Sequence, residues 1–200
     1  ICTDKTGTLT ENKMTVRKIF AGGREITEYE EELAKFKKEN PEPLDKNNIK
    51  SAINKTFTEF DKNLALMILL ENAVLCNDAY YIDEKGDKMI GDPTETALIE
   101  MGRIFNFPKP YYELKMPRKI EEPFDSIRKI MTTIHEIHKD SFAYQLDFIK
   151  DKIRPDATEE NNGYLIFVKG APEEIIKKCT YFIKDNKVLE MTKSDKEEIE

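Results

Sequence analysis

The sequence predicts an α/β fold, a mainly antiparallel sheet with flanking helices, and three stretches carry that prediction. Residues 118–137, RKIEEPFDSIRKIMTTIHEI, hold two strand-like runs, KIEEPF and KIMTTIHEI, joined by the turn-forming DSIR, so they are expected to pair as a hairpin. Residues 163–179, GYLIFVKGAPEEIIKKC, read as a buried strand, a glycine turn and a helix. Pro172 lies near that helix's start, with acids in its first turn and lysines in its last. Residues 58–77, TEFDKNLALMILLENAVLCN, form the most apolar helical stretch, the spine of the fold.

Taken in order, residues 13–20 alternate apolar and polar and enter a hairpin at the turn AGG, returning toward Ile26. A charged loop containing NPEP follows, with a short helix expected around 28–38. In the apolar helix, Leu66, Leu69, Leu70, Ala73 and Val74 fall at core spacing. Residues 91–102, GDPTETALIEMG, start a second helix: Asp92 can cap it, Pro93 suits its first position, and Glu95 stands three residues after the cap. Residues 138–163 read as an insertion between strands, and SDKEEIE at 194–200 begins another capped helix.

A length of 200 residues suits one domain, or one domain and a piece of another. The hydrophobic share of 39% beside a charged share of 36% describes a solvated globular chain. A formal charge of −7 argues against a nucleic-acid partner, because phosphate-backbone binders carry a basic excess. Cys2, Cys76 and Cys179 form no C-x-x-C pair, so neither a disulfide framework nor a zinc site is signalled, and a reducing cytosol fits best. His135 and His138 follow a strand-like run and are read as a solvated strand end rather than metal ligands. The longest apolar run, 64–76, is broken by Glu71 and Asn72 and is too short for a bilayer.

The chemistry concentrates at the beginning, ICTDKTGTLTENKMTV. A carboxylate such as Asp4 can attack the γ-phosphorus of ATP and form an acyl phosphate, which divides one difficult transfer into two steps. Thr6, Gly7 and Thr8 supply hydroxyls and a backbone that can approach phosphate, while Asp4 can share Mg²⁺ with it. Read by residue type alone, the same residues also make an ordinary polar turn.

DKTGTLT matches in full the phosphorylation signature of the P-type ATPases, ion pumps that cycle through an aspartyl-phosphate, and the chain resembles that family. The resemblance implies a haloacid-dehalogenase-like phosphorylation domain with a nucleotide-binding domain inserted in it. Asp4 is then the catalytic acceptor, and Asp4 and Thr6 the Mg²⁺ site. Related phosphatases carry an acid/base aspartate where this chain has Thr6, which speaks against a soluble phosphatase.

Three further stretches resemble the nucleotide-binding domain of the same family. In EEPFDSIRKIM, Phe124 matches the aromatic that stacks on adenine and Lys129 the lysine that approaches the phosphates; a strand phenylalanine is otherwise a core residue. In FVKGAPEE, Lys169 matches the pocket lysine, with Gly170 permitting close approach; the plain alternative is a lysine snorkelling at a strand end. In GDPTETAL, Glu95 matches the acid that meets the adenine amino group, although helix capping also explains it. Where calcium pumps often have arginine two residues after the stacking phenylalanine, this chain has Ser126, and Arg128 is the candidate to supply that charge.

The combination most resembles the calcium-pump branch, with sodium/potassium pumps a near neighbour. It implies a division into 1–14, the edge of the phosphorylation domain and its hinge, and 15–200, a nucleotide-binding domain truncated at its C-terminal end. ATP and Mg²⁺ are the implied ligands. The implied partners are the remaining phosphorylation, actuator and transmembrane domains of an integral membrane protein, of which this chain is a cytoplasmic part. A module for another cation, or a binding module without chemistry of its own, is the alternative. The 200 residues alone are expected to bind ATP without autophosphorylation.

Overall fold

The computed structural model describes residues 13–26, 64–82, 88–105, 107–137 and 163–199. The first hairpin is β1 (Ile19–Ala21) and β2 (Arg24–Ile26), paired antiparallel. Its turn is Gly22–Gly23, both at positive φ, the conformation a two-residue hairpin loop requires. Residues 13–18 are not strand, so the expected strand over 13–20 shortens to its last residues. The helix expected at 28–38, the start of the apolar helix at 58–63 and nearly all of the insertion at 138–163 lie outside the described residues.

The apolar stretch forms α1 (Leu64–Leu75), whose Leu66, Met67, Leu70, Ala73, Val74 and Leu75 are buried. Leu69, expected in the core, is 38% exposed, and Glu71 takes a buried place instead. The backbone N–H of Leu64 donates to Asn186 Oδ1 (2.9 Å), so a distant turn satisfies one orphan donor at the start of the helix. Then come β3 (Tyr80–Tyr81) and β4 (Met89–Ile90), antiparallel, and α2 (Pro93–Ile104). Asp92 caps α2 as expected, its Oδ1 accepting from Thr94 N (2.8 Å), with Pro93 at the first helical position. Gly102 allows α2 to lie against α1, since a Cβ there would stand 2.3 Å from Val74 Cγ1. A short α3 (Lys109–Lys115), which the sequence pattern did not disclose, brings Tyr112 into the core, stacked on Phe107 at 4.9 Å.

The main sheet has the order β5 (Arg118–Asp125), β6 (Ile130–Ile137), β7 (Gly163–Gly170), antiparallel throughout, as the hairpin signature predicts. Met131, Thr133, His135 and Ile137 of β6 turn to the core, where α1 packs. His135 is therefore buried rather than solvated: its Nδ1–H donates to Met116 O (2.8 Å) and its Nε2 accepts from the Thr133 hydroxyl (3.0 Å). Burial holds its pKa below the usual histidine value, and it serves as a neutral core residue. His138 is outside the described residues. After β7 come α4 (Pro172–Lys178), the hairpin β8 (Tyr181–Lys184) and β9 (Lys187–Glu190), and α5 (Lys193–Ile199). Thr192 and Asp195 cap α5 reciprocally: Asp195 N donates to Thr192 Oγ1 (3.2 Å) and Thr192 N to Asp195 Oδ2 (2.8 Å).

Glu71 is the costly feature of this core. It is 1% exposed, its Oε1 has no hydrogen-bond partner among the described residues, and burial raises its pKa to about 8. An acid whose folded pKa exceeds its unfolded value binds an extra proton in the folded state, so stability falls as pH rises from about 4.5 toward 8. The loss amounts to about 1.4 kcal/mol per pH unit across that window. Melting temperatures of wild type and Glu71→Gln, measured from pH 5 to 8, are expected to diverge as the pH rises, with the variant the flatter. His135 titrates in both proteins and cancels in the difference; parallel curves would show that Glu71 is not buried as an acid.

Candidate functional site

A cavity of about 640 Å³ opens where the end of the main sheet meets the start of α2, lined by Asp78, Asp92, Thr94, Glu95, Leu98, Phe124, Met131, Lys169 and Gly170. Each strand delivers its residue for a local reason. Lys169 pairs in register with Met131 and shares the inward face of β7 with buried Phe167, so its side chain emerges beneath the sheet end. Its Nζ donates to Glu95 Oε1, and the other carboxylate oxygen, Oε2, accepts from Asp78 N (3.2 Å). Glu95, whose spacing also fits a capping box with Asp92, bridges two other segments.

Phe124 owes its position to a register shift. Glu122 pairs with Thr132 and Asp125 with Ile130, so three steps on β5 match two on β6, and one extra residue is accommodated opposite Met131. Regular alternation would set Phe124 opposite Ile130, on the outward face. The bulge instead turns it toward the cavity beside Met131, where it remains 59% exposed. Pro123 fits here because it has no N–H to donate and β5 is an edge strand of this sheet. Phe124 is thus not a core residue.

Arg128 and Lys129 occupy the β5–β6 turn and are not among the described residues lining the cavity. Asp125 Oδ1 accepts from the N–H groups of Ile127 (2.9 Å) and Arg128 (2.7 Å), bonds that lower its pKa and shape the turn. Arg128 folds back on the bulge, pairing with Glu122 (2.7 Å) and donating to Pro123 O (3.2 Å). Lys129, at φ 55°, reaches Glu173 of α4 (3.1 Å) in a half-exposed pair. Gly170 closes the corner: a Cβ on it would lie 2.2 Å from Lys129 O and 2.8 Å from Ile130 Cα. The catalytic candidate Asp4 and its Mg²⁺ partner Thr6 lie outside the described residues.

Sequence reasoning missed the layer behind Glu95. Asn77, fully buried, donates from Nδ2 to Ala73 O and Glu95 O (both 3.0 Å) and accepts at Oδ1 from Ala79 N (2.9 Å). Buried Lys109 donates to the carbonyls of Asn77 (2.5 Å) and Ala79 (2.7 Å), and Arg118 to those of Leu75 (3.0 Å) and Asn77 (2.6 Å). Arg118 therefore holds the last carbonyl of α1, and with Lys109 it holds the chain just beyond it. The signal available was a polar pair, Asn77–Asp78, directly after the most apolar helix.

A family model described as "P-type ATPase, cytoplasmic domain N" matches residues 65–200, which include every described residue of this cavity. The chain belongs to the P-type ATPase family. Calcium-transporting ATPase 1 of Bacillus cereus (strain ATCC 10987) is 33% identical over 199 residues, covering all of this chain and 16% of that protein. Calcium-transporting ATPase 1 of Lactococcus lactis subsp. lactis is 34% identical over 203 residues, again covering all of this chain and 17% of that protein. The sodium/potassium-transporting ATPase subunit alpha-B of Artemia franciscana is 26% identical over 204 residues, with 98% of this chain covered. This P-type ATPase chain thus spans 16–17% of the length of the first two relatives. No helix among its described residues is long and apolar enough to cross a membrane.

Proposed function

We propose that this chain is the ATP-binding part of a cation-transporting P-type ATPase, with calcium as the transported ion, and that it positions ATP for phosphoryl transfer to Asp4. The observation that carries the reading is the cavity itself: an exposed aromatic ring, a carboxylate and an ammonium group around about 640 Å³, a volume suited to a small ligand. Adenine stacks on Phe124 with its amino group toward Glu95. Three carboxylates, Asp78, Asp92 and Glu95, against Lys169 alone make the described lining unsuitable for polyphosphate, so the base occupies the cavity and the phosphates lie toward its mouth. Lys169 and Gly170 line the same cavity, and Lys129, on the adjoining turn, exchanges its exposed partner Glu173 for phosphate at little cost. Arg128 acts indirectly, by bracing the bulge that presents Phe124.

Asp4 would then attack the γ-phosphorus through a carboxylate oxygen, and ADP would leave. Mg²⁺ is assigned to Asp4 and Thr6 together with phosphate, since it is commonly held by one or two carboxylates and substrate phosphates. Calcium as cargo rests on the names of the relatives, and the partners are the other domains of the same pump. Titration with ATP followed by amide chemical shifts is expected to perturb the neighbourhoods of Glu95, Phe124, Met131 and Lys169. Undisturbed shifts there at saturating ATP would end this reading.

A further inference from the structure

We propose that Asp78 is a second base-selecting residue: with Glu95 it forms a carboxylate wall that accepts a 6-aminopurine and rejects a 6-oxopurine. The inference rests on the reading that a nucleotide base occupies the cavity, and it assigns selectivity to a residue outside the motifs that pointed there. Asp78 lines the same cavity as Glu95 and is joined to it through its own N–H. Both oxygens of Glu95 already accept protein donors, one from Lys169 and one from Asp78 N. The Asp78 carboxylate accepts from Arg118 Nη1 at Oδ1 (2.6 Å), and a carboxylate has about four acceptor sites, so it retains capacity for a ligand amine.

Its placement is built rather than incidental. Arg118 stands at a second bulge of β5, where Arg118 pairs with His135 and Ile120 with Ile134, so Lys119 is the extra residue. Opposite inward-facing His135, the guanidinium points to the core side, where it grips the Asp78 carboxylate, Glu121 (2.7 Å) and the carbonyls of Leu75 and Asn77 together. Lys109 fixes the carbonyls on either side of Asp78. Neither cation is among the described lining residues, so both act by positioning Asp78. Ionised carboxylates only accept hydrogen bonds. The 6-amino group of adenine donates, whereas the 6-oxo group of guanine or hypoxanthine also accepts and would face two like-charged acceptors.

The test compares the affinity of the full chain for ATP and for inosine triphosphate by titration calorimetry, in wild type, Asp78→Asn and Arg118→Gln. Wild type is expected to favour ATP. Asp78→Asn, whose amide can donate to a 6-oxo group, is expected to lower the ATP-to-ITP affinity ratio about tenfold, the scale of one good base-edge contact. Arg118→Gln keeps the carboxylate but loosens it and is expected to lower the ratio by a smaller factor, about threefold. Should Asp78→Asn fail to fold, Asp78→Ser gives the same readout. An unchanged ratio in a folded Asp78 variant that still binds ATP overturns this proposal and leaves the ATP reading standing. A wild type that binds neither nucleotide overturns both.

Discussion

Replacing Phe124 by alanine is expected to weaken ATP binding about tenfold or more while leaving the melting temperature of the unliganded protein nearly unchanged. The two halves of that expectation have one cause. The ring is 59% exposed at the rim of the cavity, so little of its apolar surface contributes to folding. A base laid on it would gain about 1–3 kcal/mol of stacking, and about 1.4 kcal/mol corresponds to a factor of ten. Phe124→Tyr keeps a π-face and is expected to bind nearly as wild type. Calorimetric titration of the three proteins checks this; equal affinities for wild type and Phe124→Ala would remove the ring from the binding account.

Gly170→Ala is expected to destabilise the protein by about 3 kcal/mol, the upper range of overpacking costs, lowering the melting temperature by about 10 °C. The added methyl would meet Lys129 O at 2.2 Å and Ile130 Cα at 2.8 Å. These are backbone atoms of the β5–β6 turn, and Ala171 N donates to the same Lys129 carbonyl (3.0 Å), so the turn cannot withdraw without losing that bond. Because the turn also carries Arg128, which braces the bulge behind Phe124, ATP affinity is expected to fall together with stability. Urea denaturation measures the first effect, and a midpoint unchanged from wild type would mean that β6 and β7 separate at this corner more easily than their packing implies.

Several elements were readable because their causes are local. The β5–β6 hairpin follows from two strand-like runs around a turn organised by Asp125, and α2 from Asp92 and Pro93 at its first turn. The β8–β9 hairpin is equally local: Asp185 and Asn186 take φ 48° and 59°, the positive φ that a two-residue hairpin turn needs and that aspartate and asparagine tolerate. The exposure of Leu69 and the burial of Glu71 were not readable from spacing, since α1 is apolar over much of its circumference and only its packing partners select the buried arc.

The candidate site divides in the same way. By itself the sequence determined the α/β class, the antiparallel hairpin and the helix starts, because residue type and short spacing encode propensity, while its resemblance to the P-type ATPases marked Glu95, Phe124, Lys169 and Gly170. Only the tertiary structure decided that these four share one cavity, that two bulges turn Phe124 and Arg118 inward, and that Lys109, Arg118 and Asp78 stand behind Glu95. The physical reason is that a one-residue register shift reverses the face of a side chain, and a buried cation settles on whichever carbonyls the packing leaves unsatisfied. The first depends on how two strands settle against each other, and the second on carbonyls 30 to 43 residues away in the chain, neither of which a local pattern specifies.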